Sequence, residues 1–295
     1  MAVNAGPKPV SADTKRRYLI QRAGYALLAA AALVVVVPIL YVIGMVVVQG
    51  IAAINWEFIF GMPSNGMKSG GIWPAIVGTI ILTFTTAVIS IPLGVGGAIY
   101  LSEYARDTKL TRSIRLALVN LAGIPSVVYG LFGLGMFVIF LGFGTSILAG
   151  ALTLAIMTLP VMIAAAEEAL RAVPMEFRTV SASLGGTRWQ GVSRIVLPQA
   201  LPGIITGVIL GLLRAMGETA PILFTVAAFY LPQIPRSVFD QTMALPYHLY
   251  VISTQVPGMP TKMQYGTALV LLVFVLSLNI LATVIRSYFR RRRQW

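Results

Sequence analysis

No cysteine occurs in the 295-residue chain, which excludes disulfides, thiolate-bound metals and cysteine nucleophiles. Imidazole is almost missing as well: His248 stands alone beside Tyr247, too isolated for a metal cluster or proton relay, and is read as incidental. Charge is scarce, at 11% Asp, Glu, Lys and Arg against about a quarter in an ordinary soluble domain. With 57% hydrophobic residues, the chain cannot cover itself with polar surface, so a soluble enzyme is excluded. The ten-residue alternating segments of a membrane β-barrel are also lacking. Neither catalytic residues, cofactor nor metal site is expected.

What is present is a series of apolar runs. A bilayer core of about 30 Å takes roughly 20 apolar residues per helix, and six stretches qualify: 23–48, 72–101, 114–142, 145–166, 202–229 and 264–288. The expected fold is therefore all-α integral membrane, with one transmembrane domain over 23–288 between a tail at 1–22 and a basic tail at 289–295. The first run follows basic residues but is too long for a signal peptide and lacks a small-residue cleavage site, so it reads as a retained anchor.

A net charge of +13 would suggest nucleic acid in a soluble protein. Here the bases fall on one side of the spans. Lys8, Lys15, Arg16, Arg17 and Arg22, then Arg106, Lys109, Arg112 and Arg115, then Arg171, Arg178, Arg188 and Arg194, and finally Arg286 and Arg290 to Arg293 share that side. Only Lys68, Arg236 and Lys262 fall opposite. The positive-inside rule then places both termini in the cytoplasm, and no nucleic-acid partner is needed.

The proline-bearing outer stretches at 49–71 and 230–263 read as caps or short re-entrant segments. The cytoplasmic connection at 167–201 is patterned differently. Glu167 to Thr179 reads as a helix leaving the membrane, Leu184-Gly185-Gly186-Thr187 as a turn, and Arg188 to Val196 as a second helix stopped by Pro198. Leu170, Val173, Phe177, Val180, Leu184, Trp189, Val192, Ile195 and Val196 recur at helical spacing with arginines between them. Such a hairpin suits either a protein partner or anionic membrane lipid.

The series Thr179-Val180-Ser181, Gly185, Ile195 and Leu197-Pro198 resembles the EAA loop of binding-protein-dependent ABC importer permeases, with Thr-Val-Ser where the family often has Glu-Ala-Ala. Two further stretches are similar to the permeases of phosphate-specific importers: Gly70 to Thr79 continuing through Pro92-Leu93-Gly94 to Tyr104, and Arg214-Ala215-Met216-Gly217-Glu218-Thr219-Ala220-Pro221. With Met243 to Pro246 and the basic tail, the resemblance runs from about residue 70 to the end. It implies a type I (MetI-like) importer permease with its core at about 72–285 and a coupling hairpin at 167–198. Thr179, Ser181, Gly185, Gly186, Arg188, Leu197 and Pro198 would contact the ATPase. The implied partners are two ATP-binding cassette subunits, a sister permease subunit and an extracytoplasmic phosphate-binding protein, with phosphate as cargo.

Arg214 carries an argument independent of any resemblance. It falls about 12 residues into the fifth run, roughly 18 Å deep, where an arginine costs at least about 2.5 kcal/mol unless it faces the bundle interior or water. Glu218, four residues on, is its expected partner on one helix face. The guanidinium offers a planar donor set to an oxyanion, and Glu218 an acceptor for a protonated phosphate oxygen that sulfate lacks. Alternatively, the pair neutralises itself and pins two helices. Ser126, Tyr129 and Thr219 are candidates to line the same path.

Two other classes compete. An ion-coupled carrier could use Arg214 and Glu218 as a midplane site, but gives no reason for the EAA-like register. A membrane scaffold would leave that charge pair dispensable. Among importers, molybdate, sulfate or phosphonate is the alternative cargo. Finally, Gly61 to Ser69 misses a phosphate-binding loop by one residue and lies outside, so it is assigned no nucleotide role.

Overall fold

The computed structural model describes residues 12–291; Lys8, Arg292 and Arg293 lie outside them. The chain divides into two compact units, residues 1–49 and 50–295. The described residues of the first unit lie in one apolar helix, α1 (Ala12–Gly50), whose 39 residues are ample to cross a bilayer.

The second unit is built on α3 (Trp73–Ile99), α6 (Ile147–Arg171), α9 (Leu197–Gly217) and α12 (Thr261–Arg291). The α3–α6 and α6–α9 contacts dominate its packing. Among the described residues, five helices are long and apolar enough to cross a membrane, or six with one bent pair counted as a span. That pair corrects the third expected span. In place of a continuous 114–142, α4 (Lys109–Ala122) and α5 (Ser126–Gly133, continued as a π-turn over Leu134–Phe140) meet at 103°. Gly123 caps α4, and Pro125 both lacks a donor and drives its predecessor out of the helical region.

The fifth expected span, 202–229, is also broken. Helix α9 ends at Gly217, Glu218 is extended (φ −75°, ψ 136°), and α10 (Ala220–Thr225) starts afresh with Pro221 in its first turn. The outer stretches hold a short helix, α2 (Trp56–Phe60), a two-stranded hairpin, β1 (Pro63–Ser64) with β2 (Ser69–Gly70), and α11 (Leu245–Thr254).

Buried side chains form two separate cores. The outer one gathers Ile72, Leu82, Tyr129, Ile147, Leu154, Met157, Ile222, Met243 and Leu245. The inner one gathers Ala98, Leu101, Ile163, Leu170, Val173, Val196 and Ile204. Along α3 and α6 the change from one to the other falls at Pro92 and Pro160, where each helix loses a backbone hydrogen bond.

His248 lies within α11, 3% exposed, and its Nδ1 has no hydrogen-bond partner. Burial alone pushes the imidazole down to about 4 from 6.5. The unfolded chain therefore binds the extra proton between those values. The contribution from neutral His248 is complete above about 6.5 and is lost as pH falls toward 4, by up to about 1.4 kcal/mol per pH unit. Melting of the purified protein between pH 7.5 and 4.5 should show that acid limb, and His248→Phe should flatten it while leaving stability at neutral pH unchanged. An unaltered limb in the variant would assign the acid sensitivity to other groups.

Candidate functional site

Two breaks lie side by side. The α5 segment that follows the first packs against α10, which follows the second, and the approach is set by glycine. A Cβ on Gly130 would stand 3.0 Å from the Pro221 Cα, and one on Gly133 would stand 2.9 Å from the Thr225 Cγ2. Tyr129 is 5% exposed and its hydroxyl donates 2.8 Å to the Leu121 carbonyl, tying α5 back across the bend to α4. It braces the junction and does not offer a free hydroxyl to a path. Arg214 is close enough to act on that phenol electrostatically.

Arg214 stands in the last turn of α9, not within a continuous span, so it also faces the negative end of that helix. Glu218 is its partner as expected, but as the residue after the helix and not on a shared helical face. The Arg214 Nε to Glu218 Oε1 distance is 3.6 Å, too long for a hydrogen bond. Among the described residues Arg214 has no other ionic partner, so its guanidinium fork is not consumed by the protein. The side chains are 35% and 18% exposed, a half-buried cation beside a mostly buried carboxylate. Thr219 begins α10 without a side-chain cap and is half-buried beside them.

The hairpin expected at 167–198 is present with different joints. Helix α6 continues to Arg171, Pro174 interrupts, and α7 (Met175–Ser183) follows, so the single helix expected over Glu167 to Thr179 is two. Gly185 adopts φ +73° at the turn, which glycine alone takes without strain. Thr187 and Gln190 then form a reciprocal cap on α8 (Arg188–Gly191), with each side chain accepting from the other's backbone N–H. Pro198 does not stop the second helix. A π-turn over Val192–Val196 precedes it and absorbs its missing donor, so helix runs unbroken from Arg188 to Gly217.

The hairpin's apolar residues divide by depth. Leu170, Val173 and Val196 belong to the inner core and Val192 is buried as well, whereas Val180, Trp189 and Leu184, the last 82% exposed, stand on the tip. Thr179 lies on that exposed tip with its hydroxyl on the Glu176 carbonyl. Ser181 is buried where the two arms cross, and a Cβ on Gly191 would stand 2.9 Å from its Oγ. Gly186 closes the turn by donating to the Ser181 carbonyl. The Arg188 guanidinium lies 5.2 Å over the Tyr104 ring.

Three ion pairs on two largely buried carboxylates, Glu103 and Glu167, were not singled out from the sequence and join the hairpin to the rest. Arg178 grips Glu103 through both oxygens (Nη2–Oε1 2.7 Å, Nε–Oε2 3.1 Å) and donates to the Leu170 and Val173 carbonyls at the end of α6. Arg115 and Arg171 share Glu167 Oε1 at 3.0 and 2.7 Å. The available signal was rarity: with nine acidic residues in the chain, a carboxylate at the end of an apolar run calls for a partner.

A family model described as "Binding-protein-dependent transport system inner membrane component" matches residues 90–295. The chain is 36% identical over 251 residues to a probable ABC transporter permease protein, YqgI, of Bacillus subtilis (strain 168), covering 80% of this chain and 85% of that one. It is 35% identical over 266 residues to the phosphate transport system permease protein PstA 1 of Mycobacterium tuberculosis (strain H37Rv), covering 88% and 85%. Among solved structures, a bacterial ABC transporter that imports alginate aligns with TM-score 0.64 at 16% identity, over 92% of this chain and 98% of that chain. The methionine transporter MetNI, inward-facing, aligns with TM-score 0.56 at 18% identity, over 74% and 94%. At those identities the structures speak for the fold alone.

Proposed function

The chain belongs to the binding-protein-dependent transport system inner membrane components, and from that premise we propose that it is the permease subunit that passes inorganic phosphate inward. Hydrolysis of ATP occurs on two separate ATP-binding cassette subunits. A sister permease completes the path, and an extracytoplasmic phosphate-binding protein delivers the cargo. The observation that carries the cargo is the likeness to phosphate transport permeases over nearly nine-tenths of the chain.

The geometry supports the same reading. Arg214 retains unspent donors at a helix break, as an oxyanion contact requires, and Glu218 at 3.6 Å orients it without consuming them. Thr219 adds a hydroxyl at the start of α10. The transmembrane domain spans 23–288, with its core at about 72–285. The hairpin at 167–198 presents Thr179, Leu184 and Trp189 outward to the ATPase, while Ser181, Gly185, Gly186 and Arg188 hold its shape. Leu197 and Pro198 lead directly into α9, so a push on the hairpin is delivered along the helix that carries Arg214.

The test is uptake of radiolabelled phosphate by cells that depend on this permease, with Arg214→Ala at matched membrane abundance and with sulfate and molybdate as alternative cargo. We expect phosphate uptake by the native chain and about tenfold less in the variant, the loss of roughly 1.4 kcal/mol from one charged contact. Unchanged uptake in Arg214→Ala removes that residue from the path. Uptake of another oxyanion in place of phosphate overturns the cargo.

A further inference from the structure

Lys68 and Lys262, distant in sequence and among only three bases on the outer side, line one cavity of about 180 Å³ together with Asn55 and Glu57. That is room for roughly six waters, hence for a tetrahedral oxyanion with part of its hydration shell. The β1–β2 hairpin fixes one wall. Asn65 (φ 48°), Gly66 (φ 63°) and Met67 (φ 70°) are left-handed in succession, and Met67 is buried in the outer core at 3% exposure. Lys68 follows directly, and its Nζ lies 3.7 Å from the position a Cβ would take on Gly258, in the connection that leads to α12 and Lys262. The near-miss phosphate loop thus sends its lysine to the connection before α12, and the second lysine lines the same cavity.

None of the three charged groups is spent. Lys68, Lys262 and Glu57 make no ion pair among the described residues. Asn55 accepts from the Phe58 N–H through Oδ1 at 2.8 Å, which fixes the amide and leaves its NH2 as a donor. Two ammonium groups, an amide donor and one carboxylate form a donor-rich site in which the Ser69 hydroxyl is already bonded to Ser64 and Asn65, and Glu57 supplies the one carboxylate acceptor. That set matches an anion bearing one acidic proton. Hydrogen phosphate provides it, whereas sulfate at neutral pH and a phospholipid phosphodiester do not. We propose that this cavity is an outer-face binding site for inorganic phosphate, in which Lys68, Lys262 and Asn55 contact unprotonated oxygens and Glu57 accepts from the P–OH. The inference rests on phosphate being the cargo, and makes the cavity a waiting position separate from Arg214.

The test is amine labelling of the assembled transporter in nanodiscs, without the binding protein, read by mass spectrometry at Lys68 and Lys262, with cytoplasmic Lys109 as internal reference. Inorganic phosphate at about ten times a millimolar dissociation constant should slow labelling of both lysines about tenfold, and sulfate at equal ionic strength less than about twofold. Glu57→Gln should erase the difference between the two anions while leaving Lys109 unaffected. Equal slowing by both anions in the native protein reduces the effect to charge screening and overturns the site. Slowing that follows anionic lipid in the disc and not added phosphate makes it a headgroup contact, which also overturns it. Phosphate uptake by the same complex separates the two readings: a complex that imports phosphate yet shows no protection sinks the cavity alone, and one that imports only another oxyanion sinks the cargo.

Discussion

Replacing Arg178 by alanine is expected to destabilise the protein by about 3–5 kcal/mol and to abolish transport, because it leaves the Glu103 carboxylate, 7% exposed, without its counter-charge. The same substitution frees the Leu170 and Val173 carbonyls, which Arg178 holds at the end of α6. One side chain therefore joins α7 to the last turn of α6 and to the π-turn over Tyr100–Tyr104 that ends α3. Arg178→Lys keeps the charge but not the two-pronged grip, and should recover less than half of the loss. Removing both partners in Glu103→Gln with Arg178→Met should cost less than Arg178→Ala, since no charge is then stranded. Thermal unfolding in detergent, paired with uptake, reads all three. Wild-type melting of Arg178→Ala would falsify the clamp.

The second large effect concerns Gly78. A Cβ there would lie 2.0 Å from the Met243 carbonyl oxygen and 2.2 Å from the Thr242 Oγ1, and the former is backbone that cannot swing aside. The neighbouring Thr79 hydroxyl accepts the Leu245 N–H at 2.8 Å, serving from α3 as the cap that Ala244 cannot supply to α11. Gly78→Ala should thus push α11 off α3, break that hydrogen bond and cost about 2–3 kcal/mol with loss of uptake. Gly96→Ala, in the same helix with nothing within 4 Å, is the matched control and should be neutral or slightly stabilising. Equal melting temperatures for the two variants would mean that α11 is not seated where the structure has it.

Helix existence was legible wherever the apolar run was long: 72–101 and 264–288 correspond to α3 and α12 within a few residues. Breaks were harder to read, because hydropathy does not register direction. Apolar composition runs straight through Gly123 to Pro125 and through Glu218 and Thr219, yet the backbone turns at both. Proline was hard to weigh: Pro174 interrupts the helix expected over Glu167 to Thr179, whereas Pro198, expected to stop a helix, is carried inside the unbroken Arg188–Gly217 helix behind the π-turn over Val192–Val196. The hairpin turn was legible because Gly185 has a local conformational reason to be there.

The Arg214–Glu218 pair was legible from cost, since charge in an apolar run needs a partner close in sequence. Glu103 with Arg178 was not, because their contact spans 75 residues and no local spacing encodes it. For the same reason Lys68 and Lys262 read as isolated surface bases until the hairpin and the connection before α12 brought them to one cavity.

The division into an outer and an inner core bears on how such a protein can change over time. Most substitutions disturb the neighbours they touch, and here the two largest groups of buried neighbours are distinct, with Pro92 and Pro160 near the border between them. The outer end, which meets the delivered cargo, can therefore drift toward a different solute without upsetting the packing that supports the hairpin. The inner end can follow changes in its cytoplasmic partner without reshaping the mouth. A lineage of such permeases is free to diversify cargo at one end while the other stays matched to a shared engine.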